Sequence, residues 1–88
     1  MAAYRIAFTP AAQRQLASLD PPTRRRVANR IEALGTDPRP HGAEILKGGG
    51  GELRIRVGDW RVIYVVHDDK LLILAIKIGH RSDVYRAR

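Results

Sequence analysis

The sequence contains no cysteine, and that absence excludes several kinds of protein at once. A chain without cysteine has no disulfide framework, no cysteine nucleophile and no thiolate-bound metal, and it suits a reducing compartment. The longest apolar run, residues 71–76, is far shorter than the ~20 residues of a membrane-spanning helix. The N-terminus lacks the basic and apolar stretches of a signal peptide. We therefore expect a cytoplasmic protein that has no contact with membranes.

Acidic residues are also in short supply. Nine Asp and Glu stand against sixteen Lys and Arg, which gives a net charge of +7, and thirteen of the sixteen cations are arginine. Because a guanidinium group binds phosphate in a bidentate geometry, this surplus points to a polyanionic partner. A GC-rich genome explains the preference for arginine over lysine equally well, but it does not explain the net charge.

The first part of the chain has the pattern of one strand followed by two helices. Apolar residues alternate over residues 4–8, which predicts a half-buried strand. Thr9-Pro10 and Asp20-Pro21 both have the form of a helix start, a capping side chain followed by proline. We expect the first helix to end near residue 19 and the second to end at Gly35 as its C-terminal cap. So short a connection predicts an antiparallel helical hairpin.

The middle of the chain, residues 36–51, is predicted to be an irregular connection that holds one short apolar segment, Ile45-Leu46. Its four consecutive glycines, residues 48–51, lack the Gly-Lys-Ser/Thr ending of a phosphate-binding loop, and Lys47 precedes them. They are better interpreted as a flexible loop.

Three strands follow, at residues 53–57, 60–66 and 71–78, with turns between them. The order β-α-α-β-β-β predicts an α+β fold in which a helical hairpin packs on one face of a small, mostly antiparallel sheet. A chain of 88 residues has room for one hydrophobic core, so we expect a single domain over residues 1–88.

Arginines gather on one side of this predicted sheet. If Leu53, Ile55 and Val57 face the core, then Arg54 and Arg56 face the other way. A two-residue turn at 58–59 would place Arg61 opposite Arg56 on the same face. Like charges opposite one another destabilise a sheet, so the cluster favours a phosphate site. A solvated basic face is the alternative.

Two further groups are candidates for the same chemistry. The tail after the last strand is expected to bring His80, Arg81 and Tyr85 to the rim of the arginine-bearing face, and histidine titrates near neutrality. The second helix carries another basic run, which is either a solvated helix face or, with Lys47, a surface that binds RNA phosphates. That run consists of Arg24, Arg25, Arg26 and Arg30.

This set of side chains suits RNA cleavage without a metal. The sequence has no cluster of histidines and carboxylates at metal-ligand spacing, no Gly-x-Ser-x-Gly element and no carboxylate pair near the arginines. In RNA the 2′-hydroxyl attacks its own adjacent phosphate, so the protein must align the attack, neutralise charge and move protons. We therefore expect no metal and no cofactor.

Two segments, Leu-Arg-Ile-Arg-Val-Gly-Asp-Trp-Arg-Val-Ile-Tyr (53–64) and His-Arg-Ser-Asp-Val-Tyr (80–85), resemble the RelE branch of the RelE/ParE toxin superfamily. The N-terminal strand, the helix pair and the Leu-Lys-Gly segment (46–48) are similar as well. The resemblance covers essentially the whole chain. It implies a type II toxin, an mRNA interferase that enters the ribosomal A site and cuts the codon there. It also implies a cognate antitoxin that wraps around the toxin, and a higher-order toxin–antitoxin complex on promoter DNA.

By position, the catalytic set of RelE-like enzymes falls on six residues of this chain, and the resemblance implies that these are functional: Arg54, Arg56, Arg61, His80, Arg81 and Tyr85. Some relatives have lysines where this chain has Arg54 and Arg56, and an arginine cannot readily lose its proton. His80 is therefore the first candidate for a general base and Tyr85 the second, while Arg61 is the main candidate for stabilising the transition state.

Other functions are compatible with the same residues. ParE toxins share the fold, poison DNA gyrase and generally lack the catalytic set. A non-catalytic module would use the basic face only to bind nucleic acid or protein, and an inactive relative would have lost cleavage through its arginines at 54 and 56.

Overall fold

The computed structural model describes residues 3–48 and 50–80. Its elements in chain order are β1 (Arg5–Phe8), α1 (Pro10–Ala17), α2 (Pro21–Ala33), β2 (Glu44–Ile45), β3 (Glu52–Val57), β4 (Trp60–His67), a 3-10 turn (Asp68–Lys70) and β5 (Leu72–His80). The five strands form one mixed sheet in the order β1-β5-β4-β3-β2. β1 pairs with β5 in parallel, and every other pair is antiparallel. The predicted α+β class is confirmed.

Both helices begin where their capping signals predict. The Thr9 hydroxyl accepts a hydrogen bond from the Ala12 amide at 3.1 Å, and the Asp20 carboxylate accepts one from the Thr23 amide at 3.4 Å. Proline occupies the start of each helix, where its missing N–H costs nothing. None of the helices within the described residues is long and apolar enough to cross a membrane.

Gly35 is important for a different reason from the one its position predicts. It follows α2, but its φ is not among the positive values that make glycine a left-handed helix cap. Instead, the backbone at Tyr4, just before β1, approaches it closely. The Tyr4 amide donates to the Gly35 carbonyl at 2.8 Å, and a β-carbon on Gly35 would lie 2.9 Å from the Tyr4 oxygen. Glycine is therefore needed where the end of α2 meets the start of the sheet.

β2 corrects the prediction of an irregular connection over residues 36–51. Glu44 pairs with Arg54 and Ile45 pairs with Leu53, which adds a short edge strand to the sheet. A strand of two residues shows no periodicity, so the sequence pattern could not reveal it.

The core lies between the two helices and one face of the sheet, with α1 packed on β5 and α2 near β3. Tyr64 is fully buried there, and its hydroxyl donates to the Pro38 carbonyl at 2.8 Å, which satisfies its polar end. The core residues are Ala12, Leu19, Val27, Ile31, Leu34, Leu53, Ile55, Val57, Val62, Tyr64, Ile73, Ala75 and Ile78.

β5 contains an irregularity that α1 holds in place. The pairing of β4 with β5 shifts by one residue between Ile63 and Tyr64, so that Ile76 is the extra residue of a β-bulge. The Thr9 hydroxyl donates to the Ile76 carbonyl at 2.8 Å. The Gln15 side-chain oxygen accepts from the Ile78 amide at 2.7 Å. These hydrogen bonds satisfy backbone groups of β5 beyond the end of β1.

A three-residue cluster ties the start of β1 to the 3-10 turn. The carboxylate of Asp68 accepts hydrogen bonds from the Tyr4 hydroxyl at 2.6 Å and from Arg39 at 2.9 Å. The hydrogen bond from Arg39, followed by that from Tyr4, lowers the pKa of Asp68 below its ordinary value of 3.8. A carboxyl whose folded-state pKa is lowered stabilises the fold above the unfolded-state value and loses that effect as pH falls through the folded-state value.

We therefore expect Asp68→Asn to lower the melting temperature at neutral pH. Below about pH 4 the melting temperature should fall less in the variant than in the wild type. The wild type and the variant should converge at the acid end of a series of thermal melts. Asp69→Asn, the same change at the next position, is the control. Parallel pH profiles for the wild type and Asp68→Asn would contradict this assignment.

Candidate functional site

The face of the sheet away from the helices carries the predicted arginine cluster, and it is called the arginine face below. The turn at 58–59 is a two-residue hairpin, with Val57 opposite Trp60 and Arg56 opposite Arg61. Gly58 has a φ of +63°, which the favoured two-residue hairpin turns require. Arg54 lies two residues along β3 on the same face, opposite Ile63. The predicted register of this hairpin is confirmed.

The three arginines differ in their exposure to water. Arg56 is exposed, Arg54 is half-buried, and Arg61 is only 7% exposed. Arg61 is the one charged residue in the buried class among residues 3–48 and 50–80. Burial of a guanidinium group costs free energy, but it also strengthens the attraction between that cation and an anion brought beside it. Arg61 thus has the surroundings expected of a strong phosphate ligand.

Glu44 joins this cluster, and it was not predicted from the sequence. Its carboxylate accepts hydrogen bonds from the Nε and Nη2 atoms of Arg54, the first at 3.0 Å. The hydrogen bonding and charge of Arg54, together with the charges of Arg56 and Arg61, lower the pKa of Glu44. The negative charge of Glu44 therefore interacts with all three arginines and partly offsets the repulsion between them. Arg54 is engaged in an ion pair, whereas it was expected to be an available phosphate donor.

His80 lies on the opposite side of the sheet from its expected position. It is the last residue of β5 and pairs with Trp60, whereas Gly79 pairs with Arg61. The His80 and Trp60 rings meet edge to face at 5.4 Å between their centroids. The bulge at Ile76 is the reason, because one extra residue reverses the alternation of all residues after it. The expectation that His80 shares the arginine face is wrong.

The same reversal brings Lys77 onto the arginine face. Lys77 pairs with Ile63, the residue that pairs with Arg54 on its other side. Its signal in the sequence is a single cation between two isoleucines in an apolar strand. Two other predicted site residues, Arg81 and Tyr85, lie outside the described residues.

The basic run on α2 divides into residues with different surroundings. Arg24 donates to the carbonyls of Ala17 at 3.3 Å and Leu19 at 3.2 Å, so it caps the end of α1. Arg25 and Arg26 are exposed, and Arg30 is half-buried.

Arg26 brings this run to the turn of the β3–β4 hairpin. Its guanidinium lies so close to Gly58 that a β-carbon there would collide with it. The basic run on α2 therefore extends to the tip of the hairpin that carries Arg56 and Arg61. Lys47 is exposed just after β2, near the other end of the hairpin. No three His, Asp or Glu side chains in the described part of the chain are placed to hold a metal ion.

The sequence is similar to those of known toxins from toxin–antitoxin systems. The model of the family "ParE toxin of type II toxin-antitoxin system, parDE" matches residues 6–85. The chain is 34% identical over 76 residues to the putative toxin RelE1 of Methanocaldococcus jannaschii, which covers 83% of this chain and 84% of the relative. It is 29% identical over 87 residues to toxin RelG of Mycobacterium tuberculosis, which covers 94% of this chain and 97% of the relative.

A solved structure extends the likeness to three dimensions. The toxin–antitoxin complex RelBE2 from M. tuberculosis contains a chain that superposes with a TM-score of 0.82 at 26% identity, covering 94% of this chain and 97% of that one. The match therefore includes both the helical pair and the sheet that carries the arginine face. The chain belongs to the ParE toxin family of type II toxin–antitoxin systems and is a RelE-like member of the RelE/ParE toxin superfamily.

Proposed function

We propose that this RelE-like toxin is a ribosome-dependent endoribonuclease that cuts mRNA in the ribosomal A site without a metal ion. The observation that carries the proposal is the arginine face, where three guanidinium groups lie on adjacent strands and one of them, Arg61, is buried. Rigid strands that hold these cations close together, with Arg61 removed from water, suit the developing charge of a phosphate undergoing substitution.

The proposed reaction uses the RNA itself as the nucleophile. The 2′-hydroxyl gives its proton to water as its oxygen forms a bond to the adjacent phosphorus, the bond from phosphorus to the 5′-oxygen breaks, and a 2′,3′-cyclic phosphate remains. Arg61 donates hydrogen bonds to the non-bridging oxygens as charge accumulates on them, and Arg56 holds the strand from the exposed side. Phosphate competes with Glu44 for Arg54. His80, on the other face of the sheet, takes no part in these steps.

The proposal includes three partners: an antitoxin, the ribosome and promoter DNA. A cognate antitoxin is supported by RelBE2 of M. tuberculosis, whose solved form is a toxin–antitoxin complex. The ribosome with mRNA in its A site is the proposed target, because a chain with a net charge of +7 is attracted to structured RNA. Together with its antitoxin, the toxin is proposed to form a higher-order complex on promoter DNA.

The proposal is tested by incubating the purified toxin, freed from its antitoxin, with ribosomes programmed with a defined mRNA. We expect cuts within the A-site codon, new ends that carry a cyclic phosphate, and no cutting of the same mRNA without ribosomes. A folded toxin that leaves the mRNA intact would contradict the proposal.

A second candidate function is supported by the match to the ParE toxin family model. In that case the basic surface binds DNA gyrase, and the toxin traps cleaved DNA without cutting RNA. Supercoiling assays with purified gyrase separate the two functions, because only a gyrase poison produces linear DNA in proportion to the amount of toxin.

The exposed part of the basic run on α2 is proposed to bind ribosomal RNA. Replacing Arg25 and Arg26 together with glutamine should weaken ribosome binding and reduce the slope of log affinity against log salt, by roughly 0.9 for each duplex phosphate that the variant no longer neutralises. Equilibrium binding at several salt concentrations measures that slope. Arg24 is left unchanged, because it caps α1.

The matched control replaces two exposed cations elsewhere, Arg14 on α1 and Lys70 in the 3-10 turn, with glutamine. This variant has the same net charge as the Arg25/Arg26 variant. An equal salt slope in the two variants would indicate that α2 presents only a solvated basic face.

A further inference from the structure

Lys77 completes a row of side chains that crosses four strands of the arginine face. The paired residues, from the sheet edge inward, are Glu44 on β2, Arg54 on β3, Ile63 on β4 and Lys77 on β5. Directly opposed residues in a sheet point to the same side. The row therefore has a carboxylate and a guanidinium at one end, an apolar side chain in the middle and an ammonium at the other end.

A second row lies beside the first and closes one side of it. Arg56, Arg61 and Gly79 are paired across β3, β4 and β5. Lys77 is a diagonal neighbour of Arg61, and such neighbours are roughly 7–8 Å apart, within reach of long side chains. The space above Ile63 is thus bordered by cations from three strands. Lys77 is the one that approaches from β5.

The side chains around this space differ in how they exchange protons. Arginine stays protonated at any ordinary pH, so it donates hydrogen bonds without giving up a proton. Glu44 is held as a carboxylate by Arg54, Arg56 and Arg61, so it has no proton to give. Lysine carries a proton at neutral pH and can release it to a strong base. Among the described side chains around Ile63, Lys77 is therefore the suitable proton donor.

We propose that Lys77 is a catalytic residue of the ribonuclease reaction, which approaches from the β5 side and protonates the leaving 5′-oxygen. The inference rests on the proposed ribonuclease function. As the bond between phosphorus and the 5′-oxygen breaks, its electron pair stays on that oxygen, which takes a proton from the Lys77 Nζ. The proton that the 2′-hydroxyl gave to water then restores the ammonium of Lys77. Lys77 on β5 and Arg54 on β3 lie on opposite sides of Ile63, so the two cations border the proposed phosphate position from two sides.

The test compares two mRNAs on programmed ribosomes in single-turnover reactions. One is ordinary RNA, and the other has sulfur in place of the 5′-oxygen at the scissile position, because a thiolate leaves without protonation. Lys77→Met removes the ammonium but keeps an apolar stem in the sheet. We expect it to cut ordinary RNA about 10²-fold more slowly than wild type and the sulfur-containing RNA at close to the wild-type rate.

Three variants make the result specific. Arg61→Ala should be slow on both RNAs, because it loses charge stabilisation and not a proton donor. Lys70→Met, which removes an exposed lysine from the 3-10 turn, should match wild type on both. Lys77→Arg keeps a cation in the sheet but holds its proton more firmly, so it should repeat the pattern of Lys77→Met even if the methionine variant folds poorly.

Either of two outcomes overturns the role of Lys77 while leaving the proposed function in place. One is a folded Lys77→Met that cuts ordinary RNA at the wild-type rate, and the other is an equal defect on the two RNAs. A wild-type toxin that cuts neither RNA overturns the proposed function and the role of Lys77 together.

Discussion

Replacing Arg61 with alanine is expected to reduce the rate of mRNA cleavage on programmed ribosomes by at least ~10²-fold, the usual scale for removing a donor that stabilises a developing oxyanion. Arg61 should have the largest effect of the three arginines because it is the most deeply buried, at 7% exposure. Its charge acts on the phosphate with less screening by water than the charge of the exposed Arg56. Single-turnover rates measure the effect on the chemical step apart from ribosome binding.

Two controls separate this effect from loss of structure or of net charge. Arg61→Met fills more of the buried space than alanine, so it should retain the fold and show the same loss of cleavage. Arg14→Ala removes an exposed arginine from α1 and should cut at the wild-type rate. Wild-type cleavage by a folded Arg61→Ala protein would remove Arg61 from the mechanism.

Replacing Ile31 with alanine is expected to lower the free energy of unfolding by about 2–5 kcal/mol, the range for truncating a large aliphatic side chain in a packed core. Ile31 is 1% exposed and lies on the face of α2 that packs against the sheet. A small domain has only about 5–15 kcal/mol of total stability, so this single change should be enough to populate the unfolded state. Urea denaturation followed by circular dichroism measures the loss.

Ile45→Ala is the matched control, since it is the same substitution at an isoleucine that is 79% exposed on β2. It should change the free energy of unfolding by less than about 0.5 kcal/mol. Equal losses in the two variants would show that the helix-side core does not dominate stability.

Features that depend on neighbouring residues were predictable from the sequence. The caps at Thr9 and Asp20 were predictable because a capping side chain reaches an amide only three residues away. The pairing of Arg56 with Arg61 was also predictable, because a two-residue turn determines which residues face each other. The apolar periodicity of α2 and β3 likewise indicated which of their faces belong to the core.

Features that depend on distant residues were not predictable. β2 is too short to show a pattern, and it exists because Glu44 and Ile45 find partners on β3. The interaction of Glu44 with the arginines follows from that pairing. Gly35 has the position of a helix cap, but its lack of a β-carbon is required by the approach of β1.

The sequence by itself determined the order of the elements, the hairpin that opposes Arg56 and Arg61, and the apolar character of β5. Only the tertiary structure decided which side of the sheet the end of β5 presents. The extra residue Ile76 reverses the alternation, which moves Lys77 onto the arginine face and His80 away from it. That bulge is held by the hydroxyl of Thr9, which lies 67 positions earlier in the chain and reaches the Ile76 carbonyl because β1 pairs with β5.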